Sequence, residues 1–272
     1  MKKILFIFCL SMFFMSSCED VIDVDLKNTA PKLVIDASIN WIKGTDGNTQ
    51  KIRLSLTAPY FDNDIPPATG ATVIVTDSNS NSYNFVEDGN SGIYQTENFI
   101  PLLNATYNLN INYKNEIYTS TTVLTPVAPI ELVEQKNEGG FGGNETEIKA
   151  FYTDPANVKN FYLFEFVVLK NNNIALEVYE DKFTDGNQIF GFFSDENIET
   201  GDELVIRNSG ITERAFNYLF ILLQQTDENS GDPFETQPAT LRGNCVNQTD
   251  PDNFPLGFFR ASETDVFTYI IE

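Results

Sequence analysis

TYNLNINYKNEIYTSTTVL, residues 106–124, decides how this chain is read. Tyr107, Leu109, Ile111 and Tyr113 alternate with polar residues, and alternation at period two puts one set of side chains on each face of a strand. TYNLNINYK and EIYTSTTVL therefore predict two half-buried strands.

Working outward, the pattern recurs. From Pro31 to Thr125, KLVIDASI, QKIRLSLTA, ATVIVTD, NSYNFVE and GIYQTE are further strand candidates. TDGN, SNSN and EDGNSG fall between them and supply the Gly and Asn that hairpins use at positive φ. So many short strands in about a hundred residues predict an immunoglobulin-like or fibronectin-like β-sandwich over 31–126. TPVAP, 125–129, breaks the pattern with two prolines and predicts a domain boundary.

Beyond it, IELVEQK, ETEIKAFY, NFYLFEFVVLK, IALEVYEDKF, QIFGFF, ELVIRN, ATLRGNC, PLGFFRAS and DVFTYII again read as strands, and NFYLFEFVVL is apolar enough for burial on both faces. One segment, ITERAFNYLFILLQQTDEN (211–229), has helical spacing. Thr212 can cap its start; Ala215, Leu219, Leu222 and Leu223 form a stripe that Phe216 and Phe220 widen; Asn229 to Gly231 end it. The expected fold is mainly β, with an N-terminal sandwich followed by a second β-rich domain, 127–272, carrying one packed helix near 212–227.

Composition narrows the chemistry. The sequence has no histidine, which removes Ser-His-Asp and Cys-His catalysis and imidazole zinc sites together. Carboxylate pairs, Lys and Tyr chemistry, and oxygen-ligated calcium remain available. With 39 acids against 17 basic residues the net charge is −22, which repels nucleic acid. A hydrophobic content of 42% that includes 23 Phe and 11 Tyr is enough for a core without disulfides.

The N-terminus carries a different message. Lys2 and Lys3 precede an apolar run, Ile4 to Phe14, broken only by Ser11: the build of a secretory signal. The run is far shorter than the roughly 20 residues a membrane-crossing helix needs. Met15-Ser16-Ser17 then lead directly into Cys18. This resembles the lipobox of bacterial lipoproteins, which implies removal of residues 1–17 and attachment of lipid at Cys18, where two or more acyl chains make a stable anchor. Residues 18–30 then form an acidic tether. Within it Glu19 and Asp20, with Asp23 and Asp25, resemble the export signal that sends lipoproteins of the Bacteroidota to the cell exterior. Removing 17 of 272 residues leaves 255, and the loss of two lysines and no acid takes the charge from −22 to −24. Cys9 leaves with the signal and Cys18 is lipidated, so Cys245 stands alone as a small buried residue.

CEDVIDVDL at 18–26, PKLVIDASI at 31–39, GDPFETQPATLRGN at 231–244 and LRGNCVNQTDPDNFPLGFFRAS at 241–262, with the Pro126 boundary, resemble the Bacteroidota outer-membrane lipoproteins catalogued as domain of unknown function 4249. The most telling parts are the tether and the Gly-Asn then Gly-Phe-Phe ending. The resemblance implies an outer-membrane lipoprotein whose gene neighbours one for a TonB-dependent receptor, and it transfers no catalytic or ligand residue. Cys245 stands where an aliphatic residue is expected after Gly-Asn.

Each further candidate site has a plainer explanation. Asp62 to Asp64, Asp227 to Asp232 and Asp250-Pro-Asp252 could offer calcium oxygens, but match no EF-hand and look like turns. NEGGFGGNETE, Asn137 to Glu147, lacks the Lys-Ser/Thr of a phosphate loop and reads as a hairpin tip. Trp41 could stack on a sugar, though a sandwich core also accounts for it. Asn104, Asn144 and Asn247 begin sequons without evident meaning. No catalytic, cofactor or metal residue is assigned. The expected partners are the bilayer, through acylated Cys18, and a TonB-dependent outer-membrane barrel; the ligand is open. The expected role is non-catalytic: a surface-exposed accessory or ligand-capture subunit. The alternatives are an adhesin or envelope-structural protein, or a carboxylate-based glycoside hydrolase.

Overall fold

The fold is described for residues 30–59, 62, 64–140, 142–226 and 241–272 of a computed structural model of the chain. Before Pro126 the chain forms β1 (Leu33–Ile42), β2 (Gln50–Leu56), β3 (Thr72–Asp77), β4 (Ser82–Glu87), β5 (Ile93–Thr96), β6 (Thr106–Tyr113) and β7 (Glu116–Thr125). Tyr107, Leu109, Ile111 and Tyr113 all point inward, as their alternation requires. The β6–β7 turn is two residues, Lys114 and Asn115, both at positive φ (50° and 65°), the twist that closes a tight hairpin.

The SNSN turn shows how one side chain can replace backbone partners. Asp77, buried at the end of β3, accepts the N–H groups of Asn79 (2.8 Å) and Asn81 (2.9 Å), the Asn81 amide (2.8 Å) and the Tyr83 hydroxyl (3.2 Å). Burial pushes its pKa up, but the four donors outweigh burial and hold it below the usual carboxylate value. A depressed folded-state pKa gives stability that is present above the unfolded value and lost as pH falls through the folded one. Asp77→Ala is therefore expected to cost about 3 kcal/mol near pH 7. Urea unfolding of both proteins at pH 7 and pH 3 should show the deficit shrinking with acid.

The second half supplies β8 (Leu132–Gly139), β9 (Glu145–Thr153), β10 (Phe161–Val168), β11 (Asn173–Glu180), β12 (Gln188–Asp195), β13 (Glu203–Gly210), α1 (Glu213–Thr226), β14 (Val246–Asn247) and β15 (Leu256–Ile270). The strands form two sheets, one of twelve in the order β11-β10-β13-β15-β1-β2-β5-β4-β3-β6-β7-β14 and one of three, β12-β9-β8. A further pairing of β15 with β7 closes the first strands around a core that includes Ile35, Ile52, Leu54, Tyr94, Tyr107 and Phe259. The small sheet packs on the larger one through a second core, with Ile148, Tyr152, Phe164, Phe166 and Leu204 buried. Burying each such side chain contributes about 1.5–3 kcal/mol. β10 is buried on both faces: Tyr162, Phe164 and Phe166 serve the second core, while Phe161 and Leu163 lie beneath α1. The protein is thus mainly β, with one helix among the described residues.

Three expectations need correction. PLGFFRAS and DVFTYII are one strand of 15 residues, because the polar stretch between them is satisfied in place. Glu263 accepts the Val127 N–H (3.0 Å) and pairs with Lys43 (3.1 Å), Thr264 bonds Ser209 (2.8 Å), and Asp265 accepts the Ile130 N–H (2.8 Å). Leu241 to Cys245, the described part of ATLRGNC, is not strand. The division into 31–126 and 127–272 also gives way: Pro31–Glu272 is one compact unit. β15 runs parallel to β1 along its first part and antiparallel to β13 along its second, so it belongs to both halves.

Candidate binding cleft

β15 forms the floor of the candidate site. Parallel pairing sets Asp36 opposite Phe258 and Ser38 opposite Arg260. Alternation sends Phe259 and Ala261 into the first core and leaves Phe258 and Arg260 on the outer face. There Phe258 joins Phe161, Leu163, Ile211 and Ala215 in a third small core, against which Phe216, Tyr218 and Leu219 of α1 pack. Thr212 starts the helix, its Oγ1 accepting the Ala215 N–H at 3.2 Å. Phe220, expected in the buried stripe, is 46% exposed, because it lies beyond the narrow strip of α1 that meets the sheet; the expected stop at Asn229 to Gly231 lies outside the described residues.

The Gly-Asn and Gly-Phe-Phe parts of the ending that helped carry the family resemblance meet here. The Asn244 side chain accepts the Phe259 N–H (2.8 Å) and donates to the Phe259 carbonyl (2.6 Å), taking the place of a neighbouring strand. The Asn244 carbonyl in turn accepts the Ser120 hydroxyl (3.1 Å). Only glycine fits beside it: a Cβ on Gly243 would lie 1.6 Å from the Gly257 carbonyl oxygen. Gly257 itself has φ +88°, and its Cβ would lie 2.1 Å from the Ile35 oxygen. Next in the chain, Cys245 is buried, and burial pushes its thiol up to about 12, leaving it a packing residue without thiolate chemistry at neutral pH.

Between α1 and this floor lies a cleft of about 210 Å³, lined by Asp36, Ser38, Tyr218, Leu222, Phe258 and Arg260 among others. Asp36 and Ser38 also border an open depression of about 390 Å³ that reaches Lys51 and Arg53 on β2. Arg260 is held by Asn40 Oδ1 (2.9 Å) and lies 3.7 Å from Glu165, which also meets Arg207 at 3.4 Å. Burial lowers the Arg260 pKa, the Glu165 and Asp36 carboxylates oppose that shift, and the guanidinium stays cationic at physiological pH. Burial pushes the Tyr218 hydroxyl up, with Cys245 and Asp36 adding to it. The cleft therefore offers hydrogen-bond donors beside an apolar wall, which suits holding a partly apolar ligand with accepting groups.

The residues singled out in the sequence fall elsewhere. Cys18, Glu19, Asp20 and Asp227 to Asp232 lie outside the described residues. Asp62 accepts the Asp64 N–H and Asp250 the Asp252 N–H, each at 3.1 Å, so both form turns. Residues 137–140 and 142–147, the described part of NEGGFGGNETE, form the β8–β9 tip, with a register shift between Lys136 and Gly139. Trp41 packs against the first core and donates to the Thr45 carbonyl (2.8 Å). Asn247 is 1% exposed and donates to the Asn253 carbonyl (3.0 Å), a structural role. Arg260, Asp36, Glu165 and Tyr218 were not singled out; the one available signal was Arg260, the sole charge in PLGFFRAS.

No helix among the described residues is long and apolar enough to cross a membrane. No curated protein matches the chain. Among solved structures, a segment of two fibronectin type III domains from chicken tenascin is similar at 11% identity, covering 66% of this chain and 90% of that one, with a TM-score of 0.22. The family profile described as a domain of unknown function (DUF4249) matches residues 19–268, and the chain belongs to that family.

Proposed function

We propose that this is a lipid-anchored protein of the outer-membrane exterior that works by binding and not by catalysis, as an accessory or capture subunit beside a TonB-dependent receptor. The observation that carries the anchor is Cys18 at the end of a short apolar run and directly before Glu19 and Asp20. Support comes from the family match, which begins at residue 19, immediately after that cysteine. The binding role draws on the cleft, whose donors and apolar wall fit contact with a partner or ligand. A tether raises the effective concentration of the protein at its partner, so modest contacts suffice.

Copurification of the full-length protein after mild detergent extraction tests this. A TonB-dependent barrel should accompany it, and Leu222→Asp in the cleft should reduce recovery about tenfold. An extract without any barrel, as an adhesin would give, contradicts the proposal.

A further inference from the structure

Away from the cleft, the loops following β9 and β11 bring together three acids from two separate stretches of the sequence. Ligand oxygens of Asp154, Asp181 and Asp185 all lie within 4.8 Å of one another. Asp154 is 1% exposed and Asp181 4%, and among the described residues no Lys or Arg forms an ion pair with any of the three. Three carboxylates held this close repel one another, and two of them lack the water that would screen that repulsion; the charge of Lys159 reaches Asp181, but that side chain is exposed and bonds Glu213 (2.6 Å).

Part of the arrangement belongs to the loops themselves. Asp154 accepts the Tyr162 hydroxyl (2.5 Å) and the Gly186 N–H (3.3 Å), Asp181 the Asn160 N–H (2.7 Å), and Asp185 the Asn157 N–H (2.8 Å). Those bonds leave one carboxylate oxygen each of Asp181 and Asp185 uncommitted. They also leave two buried hydroxyls without any partner: Tyr152 Oη and Thr184 Oγ1. Thr184 sits in the same loop, between Asp181 and Asp185. Tyr152 is fully buried, its ring lies 4.7 Å from that of Tyr162, and its hydroxyl feels the charges of Asp154 and Asp181. A buried hydroxyl left unpaired is costly, so its presence beside clustered acids points to a ligand that would pair it.

We infer that Asp154, Asp181 and Asp185 bind a calcium ion, with Thr184 Oγ1 and Tyr152 Oη serving the ion or its bound water. Oxygens sharing one calcium ion, at 2.3–2.6 Å each, can lie at most about 4.6–5.2 Å apart, and the three carboxylates, within 4.8 Å of one another, meet that limit. All-oxygen ligands and three negative charges also suit this hard cation. The bound ion would pin the 154–160 and 181–187 loops to each other at one end of the second core.

The test uses the full-length protein in detergent, stripped with EDTA. At a hundredfold excess over its Kd, calcium should raise Tm by about 5 °C or more. Terbium should show emission on tyrosine excitation, sensitised by Tyr152 and Tyr162, and calcium should displace it. Asp185→Asn keeps the oxygen that accepts the Asn157 N–H and changes an exposed side chain, so it should fold normally and lose both responses; Asp250→Asn should keep both. No calcium shift and no displaceable terbium emission in the wild type, or unchanged responses in Asp185→Asn, would overturn the assignment and leave the acids as loop caps.

Discussion

Replacing Asn244 by alanine is expected to cost about 3–5 kcal/mol, because both backbone groups of Phe259 lose their partner in a fully buried position. Against a total stability of about 5–15 kcal/mol, that is roughly a fifth or more of what keeps the chain folded. At roughly 2–4 °C per kcal/mol for a chain of this size, Tm should fall by about 10 °C. Gly243→Ala should be worse. Its methyl would meet the Gly257 carbonyl oxygen, part of the backbone of a strand held to β1 in the Ile35–Gly257 register, so neither rotamer change nor local shift relieves the clash. Because β15 is shared by the two halves, both variants should lose the two cores together. Circular dichroism melts, with chemical denaturation of Asn244→Ala, would check this; separate transitions for the halves, or a change below 1 kcal/mol, would show that the 243–244 segment does not hold β15.

Cys18→Ala carries the largest functional effect under the proposed tether. With the sulfur gone there is no attachment point for diacylglycerol, and no lipidated amine is exposed by cleavage. Membrane affinity rests on those chains, since one acyl chain binds marginally and two or more bind stably. About nine-tenths of the variant should appear in the soluble fraction after a carbonate wash, with the wild type remaining in the pellet. Protease shaving of intact cells should cleave the wild type if it faces outward. A variant that stays with the membrane would mean that something other than Cys18 holds the protein there.

How much of this was legible from residues alone depends on distance along the chain. The strands before Pro126 pair largely with near neighbours through short turns, and local alternation with Gly and Asn at the turns was enough to find them. The β1–β15 pairing joins residues more than two hundred apart, and nothing local in KLVIDASI announces a parallel partner. The same distance hid the cleft, because Asp36, Tyr218 and Arg260 become neighbours only once β15 and α1 are in place. β15 read as two strands because Glu263, Thr264 and Asp265 resemble a turn until their partners on other elements are known. Gly243-Asn244 stood out as a pattern, but its reason is steric and lies in Gly257 and Phe259. The acids 154, 181 and 185 followed the same logic: two separate loops, neither with a recognisable calcium spacing.

The tether is the claim on which the proposed role depends most, and intact mass analysis of the membrane-extracted protein addresses it directly. The account predicts an N-terminal peptide that begins at Cys18 and carries diacylglycerol on sulfur together with an acyl chain on the amine. A mature N-terminus bearing a free thiol, or a processed chain recovered from the medium without lipid, would contradict it.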